Sequence, residues 1–118
     1  MEMAVQMLEE GIKKIDLFGR MDIEGTQKID LKLALEFTVE KALIVLDLSQ
    51  VDFMASIGIG ALVSAARSLK LRRGKMVLLN PQPFVERVLE QTHINTLIPI
   101  YQNFEDAKKA LFDKPSPL

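Results

Sequence analysis

The stretch Val45-Leu46-Asp47-Leu48-Ser49, followed by Val51-Asp52-Phe53-Met54-Ala55-Ser56-Ile57-Gly58-Ile59-Gly60, decides how the chain is read. Leu43 to Leu48 is almost wholly apolar, the pattern of a strand covered on both faces. Ser49 to Met54 reads as a loop, and Ala55-Ser56 starts a helix that ends near Arg73. Gly74 fits the C-terminal cap of that helix. Arg72 and Arg73 fall in its last turn, where cations favour the helix dipole.

Towards the N-terminus, Ala4 to Leu8 and Ile12 to Phe18 read as two strands around the turn Glu9-Glu10-Gly11. In the second strand Lys14 and Asp16 alternate with Ile15 and Leu17, giving one wet face. Gly19 punctuates it, and Arg20-Met21-Asp22 leads into a helix from about Gly25 to Glu40. Ile29, Leu33 and Phe37 recur at four-residue intervals there, and Leu31 and Leu35 are expected to widen the buried stripe. Towards the C-terminus, Met76 to Leu79 is another buried strand, closed by Asn80-Pro81. A helix follows from Pro83 to about Gln91. Ile98 to Tyr101 is a short strand whose proline suggests an edge. Asn103 to Asp106 caps and opens a last helix to Phe112. The order β-β-α-β-α-β-α-β-α predicts an α/β domain, with a mixed, mostly parallel sheet, flanking helices and right-handed crossovers.

Composition narrows the function. A chain of 118 residues, 48% hydrophobic, is one domain with a core of its own. Fifteen basic residues face sixteen acidic ones, so no electrostatic footprint for nucleic acid or an anionic membrane is expected. There is no cysteine, and His93 is the only histidine. Disulfides, thiolate nucleophiles, Cys or His metal clusters and a Ser-His-Asp triad are thereby excluded. The first residues carry acids early, unlike a signal peptide. The longest apolar run, Ile57 to Ala66, is broken by Ser64 and is too short to span a bilayer. The cytoplasm is the expected compartment.

The strand ending in Asp47-Leu48-Ser49, with Phe53-Met54-Ala55-Ser56-Ile57-Gly58-Ile59-Gly60 at the next helix start, resembles the STAS family. Its best-known members are bacterial anti-sigma factor antagonists. Gly19-Arg20-Met21-Asp22 is similar to a second family motif, and the element order agrees from about Ala4 to Leu111. The resemblance implies a STAS-like domain over residues 1–113, and the residues Lys114-Pro115-Ser116-Pro117-Leu118 themselves read as a frayed, flexible tail. It also implies partner switching. The unmodified antagonist binds an anti-sigma factor that is itself a serine kinase of the histidine-kinase-like ATPase type. Phosphorylation breaks that complex, and a serine phosphatase restores it. Ser56 matches the phosphorylated position. The chain departs from the pattern at Ala55, where the family carries aspartate, and at Ile57, where it carries a second hydroxyl.

The residues support a switch on their own terms. A serine at a helix N-cap holds its hydroxyl at the surface beside unpaired amides. A phosphate there adds about −1.5 to −2 charges, which a helix N-terminus tolerates and a docked partner does not. The alternative reading of Ser56 is a helix cap and nothing more. At about 100° per residue, Ile59, Leu62, Ala66 and Leu69 are expected to face the sheet. Ile57, Gly60, Ser64, Arg67 and Leu71 lie opposite, and are expected to form a docking face bordered by Asp22 and the loop Ser49 to Asp52. Asp22 is either a partner contact or a helix N-terminal carboxylate.

Other readings are weaker. A non-phosphorylated STAS scaffold or small-ligand sensor is the nearest alternative. A dinucleotide-binding enzyme is suggested by Gly58-Ile59-Gly60, but Val63 replaces the third small residue and Asn80 the ribose-binding acid. A receiver domain lacks its acidic pair, since Gly19-Arg20 stand there. Asp47 and Asp52 have no identifiable catalytic companion, and Lys70, Arg72, Arg73 and Lys75 read as a solvated helix end. No cofactor, metal or enzymatic activity is implied, and the oligomeric state stays open.

Overall fold

Five strands form one sheet in the order β1-β2-β3-β4-β5 in a computed structural model that describes residues 1–113. The expected tail at 114–118 lies outside the described residues. The strands are β1 (Glu2–Met7), β2 (Ile12–Met21), β3 (Leu43–Met54), β4 (Lys75–Leu79) and β5 (Ile100–Tyr101). β1 pairs antiparallel with β2, and every later pairing is parallel. The helices are α1 (Ile23–Glu36), α2 (Ser56–Leu71), α3 (Pro83–Gln91) and α4 (Phe104–Phe112). The architecture is therefore the expected mixed α/β domain, with the expected order of elements.

Two apolar cores sandwich the sheet. Ile15, Leu17, Ile44, Leu46 and Leu78 point to one side and meet α1, α2 and α3. Ile12, Val45, Val77 and Leu79 point to the other and meet Ala107 and Leu111 of α4. This alternation is the two-residue period of a strand buried on both faces. Three successive crossovers between neighbouring parallel strands place α1, α2 and α3 on one layer. Beyond the reach of α4, the second sheet face is open and carries Lys14 and Asp16 together with the exposed Phe18. Lys14 there bridges Asp16 at 2.7 Å and Asp47 at 3.1 Å.

Several local expectations are corrected. Ser49 to Met54 is strand, not loop, with register shifts near Asp47 and between Gly19 and Arg20. The Asp47 carboxylate accepts the Ser49 amide at 2.8 Å, so a local side-chain bond fills the irregular step and hides the strand's period. β1 lies at Glu2–Met7 instead of Ala4 to Leu8, and β2 continues through Gly19 to Met21. α1 begins at Ile23 and ends at Glu36, earlier than expected at both ends.

Leu31 and Leu35 are not buried; they are 74% and 58% exposed, because the sheet takes only the Ile29, Leu33, Phe37 stripe. On α2 the buried line is Gly58, Leu62, Ala65 and Leu69, with Ile59 and Ala66 half-buried at its flank. Arg73, not Gly74, takes the left-handed turn after α2, while the Gly74 amide closes the helix on Leu69 at 2.8 Å. A Cβ at position 74 would lie 2.7 Å from the Ala42 carbonyl, which accounts for the glycine.

Candidate functional site

The candidate site is the edge of the sheet where β2 and β3 end and α1 and α2 begin. Met21 pairs with Met54, and the Met21 carbonyl accepts the Ala55 amide at 2.9 Å. One residue further on, both chains turn into helices. α1 is capped by Asp22, whose carboxylate accepts the Gly25 amide at 2.8 Å. Asp22 is thus the helix N-terminal carboxylate that one of the two sequence readings anticipated. The Gly25 amide, aided by the Arg20 guanidinium and opposed by some desolvation, holds its carboxyl below the usual aspartate range.

α2 is built differently. Ala55 occupies the N-cap in extended conformation, with no side chain capping the helix. Its carbonyl accepts the amides of Gly58 at 2.9 Å and Ile59 at 3.2 Å. Ser56 is therefore the first helical residue and not the cap, because the bond to Met21 keeps Ala55 in strand geometry. The capping reading of Ser56 falls with that, and so does the N-cap position from which the switch was argued; what stands is an exposed hydroxyl in the first turn of the helix. Ser56 is exposed, and Gly58 and Gly60 lie within a regular helix. Gly58 lets α2 sit against the strand ends: a Cβ there would be 3.1 Å from side-chain carbons of Met21 and Met54.

The outer face of α2 carries the expected residues. Gly60, Ser64, Arg67 and Leu71 are exposed and Ile57 is half-buried. Leu71 is 84% exposed. Asp22 lies beside this face through the Met21–Ala55 bond. The Ser49 carbonyl accepts the Gln82 side chain at 2.9 Å, tying it to the residue before α3. Asp52 is exposed on β3, within the terminal stretch of that strand.

Two features escaped sequence reading. Arg20 lies over the Phe53 ring at 4.3 Å, and Phe53 stacks on Phe84 with centroids 5.8 Å apart. Arg20 also approaches Asp22 at 3.5 Å. Arg20 and Phe53 belong to the recognisable motifs, but Phe84 comes from α3 and nothing local announces it. The second feature is the exposed apolar side of α1, with Leu31 and Leu35 turned outward. Their departure from the Ile29–Leu33–Phe37 spacing was the available signal.

Among the described residues no cluster of three potential metal ligands occurs, and no helix is long and apolar enough to cross a membrane. What the geometry presents is an exposed outer face of α2 with an exposed hydroxyl, that of Ser56, in its first turn.

Comparison with known proteins agrees with this class of architecture. The STAS domain model matches residues 4–107. The anti-sigma-B factor antagonist of Listeria monocytogenes is 32% identical over 102 residues, covering 85% of this chain and 90% of that one. The chain belongs to the STAS domain family.

Among solved structures, an anti-sigma-factor antagonist (STAS) domain protein from Planctomyces limnophilus superposes with a TM-score of 0.83 at 21% identity. It covers 94% of this chain and 98% of that one. The Bacillus cell fate determinant SpoIIAA in its phosphorylated form superposes with a TM-score of 0.66 at 22% identity, covering 92% of this chain and 99% of that one. These two likenesses are likenesses of fold.

Proposed function

We propose that this chain is a regulatory binding protein of the anti-sigma factor antagonist type. It acts in the cytoplasm as a partner switch and not as an enzyme. Through the outer face of α2 and the adjoining start of α1, it docks onto an anti-sigma factor that is also a serine kinase. The contact residues are Asp22, Ser56, Ile57, Gly60, Ser64, Arg67 and Leu71, with Asp52 at the margin. Phosphorylation of Ser56 dissociates the complex, and a serine phosphatase restores it.

The observation that carries this reading is the exposure of Ser56 in the first turn of α2, where no side chain caps the helix. A dianion there meets the positive end of the helix dipole, so the fold tolerates it. The same charge faces outward beside the Asp22 carboxylate, where an acidic or apolar partner surface would be repelled. Gly60 and Ser64 keep the centre of the face low enough for another backbone to approach closely.

A non-phosphorylated STAS scaffold or ligand-sensing module is a second reading, favoured by Ala55 and Ile57 in place of the family's aspartate and second hydroxyl. Retention of a purified anti-sigma kinase by wild type, Ser56→Ala and Ser56→Asp, with intact mass after incubation with ATP, separates the two. The switch requires a phosphate-sized mass gain on wild type only, and retention by Ser56→Ala but not Ser56→Asp. Equal retention by both variants without modification favours the scaffold.

A further inference from the structure

A trough runs between α1 and α2 on the proposed docking layer. One lobe, of about 320 Å³, is lined by Thr26 and Asp30 of α1 and by Ile57, Gly60 and Ser64 of α2. A second, of about 290 Å³, lies between Leu33, Ala34 and Phe37 on one side and Ala61, Ala65 and Ser68 on the other. Asp30, Ala61 and Ser64 line both lobes, so the two join there. Asp30 is the only charged side chain lining either lobe.

Thr26 supplies the independent observation. It is only 2% exposed, and its hydroxyl is the one buried side-chain polar atom among the described residues that lacks a hydrogen-bond partner. A buried hydroxyl left unpaired destabilises the free protein, whereas the same group paired in a complex contributes to binding. Thr26 lines the lobe beside Asp30, and a helical threonine divides between two χ1 rotamers about 120° apart, so a rotamer change re-aims Oγ1.

We propose that the trough receives a cationic side chain, an arginine or a lysine, from the protein that docks on α2. The inference rests on the docking reading above and names what that face recognises. The aliphatic stem lies along the apolar lobe, between Leu33, Ala34 and Ala65. The cationic head reaches the Asp30 carboxylate and donates to the Thr26 and Ser64 hydroxyls. Arginine and lysine carry long apolar stems and only donors at their tips, which matches an apolar trough whose one charge is an acceptor-only carboxylate and whose hydroxyls can accept as well as donate. Glycine at position 60, where a Cβ would meet nothing within 4 Å, leaves the mouth open.

The site is tested on the full chain, labelled with ¹⁵N, by titration with Nα-acetyl-arginine amide and with the corresponding citrulline amide, which has the same shape without the charge. The arginine compound is expected to shift the amides of Thr26, Asp30, Gly60 and Ser64 saturably, at least ten-fold more tightly than citrulline. Asp30→Asn should weaken that binding at least five-fold. Thr26→Val, which keeps the shape and removes the hydroxyl, should weaken it while raising the melting temperature. Absent shifts, equal binding of citrulline, or binding unchanged in both variants overturns the site.

The partner arm compares Ser56→Ala with Ser56→Ala/Asp30→Asn for retention of the purified kinase. Loss on adding Asp30→Asn supports the proposal, and equal retention overturns it. If Ser56→Ala itself retains nothing, the docking reading falls, and a partner side chain as occupant falls with it.

Discussion

The Met21 carbonyl accepts the Ala55 amide at 2.9 Å, and this single bond fixes the starts of α1 and α2 side by side. It places the capping carboxylate of Asp22 next to the uncapped first turn that holds Ser56. One helix end thus has its own fixed negative charge, and its neighbour presents only a neutral hydroxyl.

Replacing that hydroxyl should leave the fold intact. Ser56→Ala and Ser56→Asp alter an exposed first-turn residue and should change unfolding free energy by less than about 0.5 kcal/mol. Denaturant titration checks this. A larger loss in Ser56→Asp would mean that negative charge disturbs the fold, and release of a partner could then no longer be assigned to the docking surface alone.

The two helical glycines of α2 should respond in opposite senses. Gly58→Ala pushes a methyl against Met21 and Met54 and should destabilise by about 1–2 kcal/mol after the gain in helix propensity. Gly60→Ala meets nothing and should stabilise by about 0.5–1 kcal/mol. On the docking reading, Gly60→Ala nevertheless weakens partner retention. Equal retention would remove residue 60 from the interface.

On α1, alternate leucines should separate sharply. Leu33 is 1% exposed, and Leu33→Ala should cost about 2–5 kcal/mol. Leu31→Ala, at a position 74% exposed, should stay within about 0.5 kcal/mol. Equal losses would show that the helix is rotated from the orientation described.

Stability should fall in acid. Gly25 and Arg20 lower the Asp22 carboxyl. At Asp47, burial pushes the carboxyl up, but the bonds from Ser49 and Lys14 more than offset it, so the net shift is downward. A carboxyl with a folded value below its unfolded value of about 3.9 stabilises fully above that pH, and loses the contribution as pH falls through the folded value. Lys14 has the opposite sign. Burial lowers its ammonium, the bonds to Asp16 and Asp47 outweigh this, and the net value is raised. Its contribution is complete below its unfolded value of about 10.4 and is lost as alkaline pH passes the folded one. Asp47→Asn should make the pH dependence of unfolding shallower below the unfolded aspartate value of about 3.9. An unchanged slope would sink this assignment.

Most of the fold was legible because most elements obey a single period. Leu43 to Leu48 reads as a buried strand, Pro83 to Gln91 as a helix, and Asn103 as a cap, as observed. Ser49 to Met54 was illegible for a specific reason: Asp47 spends its carboxylate on the Ser49 amide, and the shifted register erases alternation. Leu31 and Leu35 misled because apolar character alone does not say which side of a helix the sheet will take. At the site, the position of Ser56 and the outer strip of α2 followed from spacing. The cap assignment failed because the decisive group, the Met21 carbonyl, lies 34 positions earlier in the sequence. The Phe53–Phe84 stack and the trough beside Thr26 join distant segments in the same way.

The two ends of the described chain lie at opposite poles of the sheet. Met1 lines a surface hollow with Arg20 and Asp22, at the pole where α2 begins. Asp113 is held by the side chain of Lys75 at 2.6 Å, where β4 begins. An affinity handle or fluorescent fusion placed ahead of Met1 would therefore overhang Ser56 and could mimic the loss of a binding partner by shadowing alone. Asp113, by contrast, sits at the far pole, so a label fixed at that residue leaves the corner around Ser56 open to visitors.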